Sequence, residues 1–349
     1  MTAPVRIVIG VPMSNELVQQ IRDVDPRVDV VYDASFFPGE RFLGDHHGSP
    51  AQKRSDDERD RFFDYLSDAE IVYGIPELRP SGLRRVVESN PSLRWVHAAQ
   101  AGAGAFVTAA KLSDEQLARV TVTTSAGVHA EPLAEFAMFG LLAGSQDLAR
   151  LQRNQAEHRW SDRHPTKQLS GATCLIVGAG EIGSAIAVRA KAFGMRTVGL
   201  KRRVTDVEGF DEVVGIDSLR AEAAKADYVV VTLPGTKHTE HMVDADVLAA
   251  CRPGVVIVNV GRGSVIDETA LIDSLQSGHV ASAALDVFEK EPLDAASPLW
   301  DMPNVIVSPH SAALDTGEEQ RVADLFCANL RAYLDGQPMR NVVDVEQGY

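Results

Sequence analysis

The stretch CLIVGAGEIGSAIAVRAKAFGM, residues 174–195, decides the fold. An apolar strand runs into Gly178-x-Gly180-x-x-Gly183, and that turn opens a helix. The bare glycine pattern is weak, but a strand before it and a helix after it are the context that a dinucleotide loop requires. The first glycine permits the tight turn, the second lets the backbone approach a pyrophosphate, and the third lets the helix close on the strand. The helix N-terminus then faces the phosphates. Gly178, Gly180, Glu181, Ile182 and Gly183 are therefore candidate cofactor residues. A glycine-rich turn of an α/β protein with no cofactor is the plain alternative.

Working outward, strands and helices alternate from Leu175 to about His310. An earlier alternation starts with the strand VRIVIGVP (5–12), the helix ELVQQIRDV (16–24) and the strand VDVVYDA (28–34). It continues through AEIVYGIP (69–76), a helix around SGLRRVVESN (81–90), and strands over LRWVHAAQAGAG (93–104) and VTVTTSAG (120–127). Two such series predict two parallel α/β sheets. Between them, residues 130–160 read as one long apolar helix with Pro132 in its first turn, buried between domains or subunits. Residues 318–336 read as an amphipathic helix that returns to the first domain. Residues 36–61 break the pattern with Gly, Pro and charges. His46 and His47 within that segment have no carboxylate or thiol at ligand spacing and read as a solvated loop, so no metal is expected.

The 349 residues suffice for about two domains with well-buried cores, at 45% hydrophobic and 24% charged residues. A net charge of −15 opposes nucleic acid, whose phosphates need a basic face, and opposes anionic membrane surfaces. No apolar run approaches the ~20 residues of a membrane span, and the N-terminus reads as a strand with no signal peptide. A cytoplasmic protein is expected. Cys174, Cys251 and Cys327 are scattered among apolar residues without zinc or redox spacing, as buried thiols are.

Three further stretches place reactive side chains just after apolar strands. GVVIVNVGRGSVID (254–267) sets Arg262 between two glycines, AALDVFEKEPL (283–293) carries Asp286 and Glu291, and NVIVSPHSAA (304–313) carries His310. In an open parallel sheet the carboxyl ends of the strands face the ligand crevice. An arginine fork holds a carboxylate bidentately, and a histidine exchanges a proton with a carbonyl oxygen as hydride arrives or leaves. A carboxylate beside that histidine favours its protonated form. Taken singly, Arg262 reads equally as a strand-end cap, and Asp286 or Glu291 as loop-solvating charges.

Together these blocks resemble the D-isomer-specific 2-hydroxyacid dehydrogenase family. SAGVHAEPLAEF (125–136) resembles its entry into a long helix and VVVTLPGTKHTEHMV (229–243) its loop near the cofactor, with Pro234 at that loop. NVGRGSVIDETAL (259–271), LDVFEKEP (285–292) and SPHSA (308–312) resemble its three signature blocks. The resemblance implies that Arg262 orients the substrate, His310 is the acid/base, Glu291 is its partner and Asp286 contacts the nicotinamide carboxamide. It implies two Rossmann-like domains with doubly wound parallel sheets and an interdomain cleft. A flavodoxin-like substrate domain (1–126 and 315–349) would carry an inserted NAD(P)-binding domain (127–314). A homodimer through the helix near 131–153 is implied as well. The turn AAQAGAG (98–104) resembles the loop whose backbone N–H groups at Gly102 and Ala103 bind the substrate carboxylate; a tight turn after a strand is the other reading.

Formate dehydrogenases of similar scaffold carry Gln where this chain has Glu291, which favours a 2-oxo acid with real proton transfer. The leading expectation is reduction of a small 2-oxo acid of the glyoxylate or hydroxypyruvate type, or its reverse. D-3-phosphoglycerate dehydrogenase activity and a non-catalytic, nicotinamide-sensing corepressor-like scaffold are the alternatives. TVGLKRRVTD (197–206) then bears on the cofactor. Where dinucleotide folds place an acid for the adenosine ribose, the chain offers Lys201, Arg202 and Arg203. These would donate to a 2′-phosphate, so NADP(H) is expected over NAD(H). A solvated basic turn in an NAD enzyme is the other reading.

Overall fold

All strand pairs of the two sheets run parallel, as the alternation of strands and helices predicts. A computed structural model describes residues 4–37 and 54–344; His46 and His47 lie outside them. The chain divides into two units, Met1–Val128 with Asp315–Tyr349, and His129–Leu314. The first boundary falls two residues beyond the one expected from the sequence.

The first unit holds β1 (Val5–Ile9), β2 (Val28–Val31), β3 (Ile71–Tyr73), β4 (Trp95–Ala98) and β5 (Thr121–Thr124) in the order β2-β1-β3-β4-β5. This is the flavodoxin-like order. Side chains alternate across the pleat: Ile7 and Ile9 enter one core and Val8 the other. Helices Asp56–Tyr65 and Pro80–Ser89 cover the Val8 face with Phe62, Phe63, Leu83 and Val86. Helices Asn15–Arg22 and Glu318–Leu334 cover the other face, so the C-terminal helix packs on the first unit as expected. Its Phe326 stacks on Trp95 at 4.9 Å between ring centroids. The expected strand over residues 93–104 stops at Ala98, because the glycine-containing turn after it leads into a helix at Gly104–Ala110.

The second unit holds β6 (Thr173–Val177), β7 (Arg196–Lys201), β8 (Glu212–Gly215), β9 (Tyr228–Val231), β10 (Val255–Asn259), β11 (Val280–Leu285) and β12 (Val305–Val307). Their order, β12-β11-β10-β9-β6-β7-β8, reverses between β6 and β9. Such a reversal opens a crevice at the carboxyl ends of the strands. Helices Ala130–Ser145 and Glu181–Ala192 close one face. Gly140 and Gly144 let the first of them lie against the sheet, since a Cβ on either would stand 2.7 Å from Ala284 Cβ or 2.6 Å from Ser282 Oγ. The single long helix expected over 130–160 is two helices, Ala130–Ser145 and Leu148–Ala156. Asp147 breaks it: its backbone turns left-handed (φ 52°) and its carboxylate caps Arg150 N–H. The buried face packs within its own unit, while Phe139 and Leu151 remain about half exposed. All three cysteines are buried, and burial pushes Cys174 up to about 12 and Cys251 and Cys327 up to about 11. No helix among the described residues is long and apolar enough to cross a membrane.

Candidate functional site

The glycine loop after β6 has the close approaches predicted for it. Gly178 takes φ +123°, and a Cβ there would stand 2.4 Å from Thr232 Oγ1, the hydroxyl that donates to Gly178 O at 2.8 Å. Thr232 thus ties this loop to the one after β9 across the point where strand order reverses. A Cβ on Gly183 would stand 2.1 Å from Gly178 O, so the helix start closes on the strand end. At Gly180, by contrast, a Cβ would meet nothing within 4 Å, and the helix Glu181–Ala192 has no side-chain cap. Open space in front of uncapped N–H groups fits a pyrophosphate. Glu181 is exposed and Ile182 half-buried there.

At the end of β7, Lys201 is half-buried with Nζ on Thr205 Oγ1 at 3.2 Å, and Arg202 and Arg203 are exposed. The loop beyond is fastened to the helix Glu181–Ala192. Ser184 Oγ donates to Glu208 O at 2.7 Å, and Gly209 leaves no room for a Cβ beside Val188 N, 2.9 Å away. The basic residues therefore sit on an anchored turn beside the glycine loop's helix.

Three loops after β10, β11 and β12 build the reactive part. His310 Nδ1 and Glu291 Oε2 lie 2.7 Å apart. Glu291 Oε1 accepts from Phe288 N–H at 3.1 Å, which orients the carboxylate. With both carboxylate oxygens accepting, the network assigns the proton to Nδ1 and leaves Nε2 without a partner among the described residues. The imidazole is 46% exposed, open enough for a small molecule to reach it.

His310 itself has a left-handed backbone, φ +53°, uncommon for a residue with a side chain. Asp286 holds it there. The Asp286 carbonyl accepts from His310 N–H at 2.9 Å, and Oδ1 accepts from Ser308 Oγ (2.5 Å), Ser311 N–H (2.9 Å) and Ala312 N–H (3.0 Å). At 1% exposure, Asp286 is a buried clamp on the loop. Its Oδ2 takes no hydrogen bond among the described residues. Ser308 and Ser311 were not singled out from the sequence, although they flank the histidine in SPHS.

Arg262 is exposed, with Nη1 on Gly261 O at 2.7 Å. Asn259, buried at the end of β10, shapes its loop by accepting from Gly261 N–H at 3.0 Å and donating to Arg262 O at 3.1 Å. The flanking glycines are contact surfaces: a Cβ on Gly261 would stand 2.5 Å from Leu233 O, and one on Gly263 1.8 Å from the Phe288 carbonyl carbon. Arg262 is thus wedged between the loops after β9 and β11. Pro234, exposed in the first of these, has its carbonyl held by Thr239 Oγ1 at 2.6 Å.

In the first unit, Gly102 is exposed and Ala103 buried. Their N–H groups donate to no acceptor among the described residues. Behind this turn, His97 is fully buried between Thr123 Oγ1 (2.9 Å) and Ser125 Oγ (3.3 Å).

The description "D-isomer specific 2-hydroxyacid dehydrogenase, NAD binding domain" matches residues 138–312. The glyoxylate reductase of Korarchaeum cryptofilum is 34% identical over 237 residues, 65% of this chain and 70% of that protein. The D-3-phosphoglycerate dehydrogenase of Mycobacterium leprae is 32% identical over 264 residues, 75% of this chain, but the chain spans only 49% of that protein. Among solved structures, an NADPH-dependent glyoxylate/hydroxypyruvate reductase from Sinorhizobium meliloti in complex with NADP and sulfate superposes with a TM-score of 0.75. It is 25% identical and covers 99% of each chain. The chain belongs to the D-isomer specific 2-hydroxyacid dehydrogenase family, and with it to the NAD(P)-dependent oxidoreductases.

Proposed function

We propose that this protein reduces a small 2-oxo acid of the glyoxylate or hydroxypyruvate type to the D-2-hydroxy acid, or runs the reverse reaction, with NADP(H) favoured. The observation that carries the reading is the His310–Glu291 pair at 2.7 Å, set beyond the carboxyl ends of strands of the same sheet that carries the uncapped glycine loop. The glyoxylate reductase relative and the NADPH-dependent structural neighbour support the substrate type and the cofactor.

In this reading the backbone at Gly178, Gly180, Glu181, Ile182 and Gly183 holds the pyrophosphate, and Pro234 borders the cofactor. Asp286 Oδ2 accepts from the carboxamide. The bound nicotinamide supplies or accepts the hydride. Arg262 holds the substrate carboxylate. In the first unit, the N–H groups of Gly102 and Ala103 are candidate anion donors. His310 Nε2 gives its proton to the carbonyl oxygen in reduction and takes it back in oxidation, while Glu291 stabilises the charged imidazole. Lys201, Arg202 and Arg203 receive the 2′-phosphate, because no carboxylate stands at that strand end to accept from ribose hydroxyls.

The test is a panel of glyoxylate, hydroxypyruvate and phosphohydroxypyruvate with NADPH and with NADH. Turnover is expected with the first two, with kcat/KM at least about tenfold higher for NADPH. Arg202→Ala should remove about tenfold of the NADPH value and little of the NADH value, the scale of one charge-assisted contact. Preference for phosphohydroxypyruvate would move the reading to phosphoglycerate oxidation, and no turnover across the panel would leave the scaffold role. An NADH preference untouched by Arg202→Ala would end the 2′-phosphate assignment.

We infer a homodimer through the helices over 131–153, where Phe139 and Leu151 stay about half exposed. Sedimentation at micromolar concentration should give twice the chain mass; a monomer there would remove this inference.

A further inference from the structure

The β11 loop carries a second histidine–carboxylate contact, two residues before Glu291. His241 Nε2 lies 2.6 Å from Glu289 Oε1. His241 ends the loop after β9, and Glu289 stands in the loop after β11, so this contact bridges two loops that are not neighbours in sequence. Between those loops sits Arg262. A Cβ on Gly235, in the β9 loop, would stand 3.3 Å from both Cβ and Cγ of Arg262. On the other side, the Gly263 backbone lies directly on the Phe288–Glu289 peptide, with 2.4 Å from its hypothetical Cβ to Glu289 N.

The bridge is reinforced at both ends. His241 takes a left-handed backbone, φ +47°, and its N–H donates to Ser264 O at 2.8 Å, two residues after Arg262. Glu289 and Glu268 cap each other's backbone: Glu268 N–H donates to Glu289 Oε1 and Glu289 N–H to Glu268 Oε2, both at 3.1 Å. This brings two carboxylates together. Burial, with the Glu289 charge as a further cause, raises the Glu268 carboxyl above its usual range. The His241 ring nitrogen lies against one of these two carboxylates, at Glu289 Oε1. A left-handed non-glycine residue whose side chain is committed to a distant loop is over-determined by its surroundings, as strained residues near functional sites are.

We propose that His241 and Glu289 are positioning residues that clamp the β9 and β11 loops on either side of Arg262 and so fix the backbone and stem from which its guanidinium reaches the substrate carboxylate. They act through Arg262, and the inference rests on the substrate role assigned to it above. An arginine whose backbone and stem are loose must be ordered at binding, and that ordering cost appears in substrate affinity.

The test compares Glu289→Ala, Glu289→Gln and His241→Ala in the full-length protein. The readouts are KM for glyoxylate, Kd for NADPH, and Kd for oxamate, a carboxylate that is not reduced. Glu289→Ala and His241→Ala should each raise the glyoxylate KM and the oxamate Kd about tenfold, with the NADPH Kd within about twofold of wild type. Glu289→Gln keeps an acceptor for His241 and for Glu268 N–H, and should recover most of the loss. The double variant His241→Ala/Glu289→Ala should be no worse than either single one. Equal weakening of NADPH and oxamate binding, additive single effects, or no rescue by Glu289→Gln would each overturn the clamp. If wild type turned over no oxo acid, the oxamate arm would still decide it, separately from the reaction assigned above.

Discussion

His97 and His310 each use Nδ1 in a short contact, yet their surroundings are opposite. His97 is wholly buried in the first unit, and its neighbours consume both ring nitrogens. Trp95 Nε1 donates to Thr123 Oγ1 at 2.8 Å, and Ser125 Oγ donates to the Ala98 carbonyl at 3.0 Å. The Ser125 oxygen must then accept from His97 Nε2–H, and Thr123 donates to Nδ1. A neutral ring satisfies every partner, and burial pushes its pKa down to about 3. His310 has one carboxylate partner, stands 46% exposed and keeps Nε2 free of any protein partner among the described residues. A histidine used for structure has its hydrogen-bonding capacity filled, whereas one placed for proton transfer has one nitrogen oriented and the other left over.

The largest effects should separate these two residues. His310→Ala should lower kcat by about 10³-fold, within the span of general acid–base catalysis, while NADPH Kd stays within about twofold. His97→Leu should do the reverse. It leaves Thr123 and Ser125 without their ring partner and should cost about 2–4 kcal/mol in urea unfolding, with kcat of the folded protein little changed. The pH dependence sharpens the contrast. A base whose folded pKa lies below its unfolded value of 6.5 stabilises least in acid, because the unfolded chain takes up the proton first. Stability attributable to His97 is present above pH 6.5 and is lost as pH falls from there toward 3, and His97→Leu should remove about one proton from that slope. Loss of activity at His97, or of stability at His310, would break the comparison.

The legibility of these features follows the range of the interactions behind them. The glycine loop and the alternating strands were readable because their signals are local: a tight turn, a close helix approach, period-two burial. Arg262, Glu291 and His310 were readable as strand-end residues within short blocks. For Asp286 the sequence offers a cofactor contact or a loop-solvating charge, since its clamp on Ser308, Ser311 and Ala312 needs the neighbouring strand beside it. Nothing local marks His97 inside LRWVHAAQ, because its partners come from β5 and the residue just after it. The His241–Glu289 bridge was equally invisible, joining the loops after β9 and β11. The break at Asp147 did leave a local trace, an aspartate three residues ahead of the Arg150 N–H it caps, and the apolar pattern around it hid that signal.

If His310 and Glu291 act as one acid/base unit, a double-mutant cycle on kcat for glyoxylate reduction shows it most directly. Alone, Glu291→Gln should cost about tenfold, because the amide still orients the ring but no longer stabilises its charge. In the His310→Ala background the same change should alter kcat by less than about twofold, since residues acting as a unit are not additive. A full tenfold loss in that background would show Glu291 working independently of His310 and would contradict the pair.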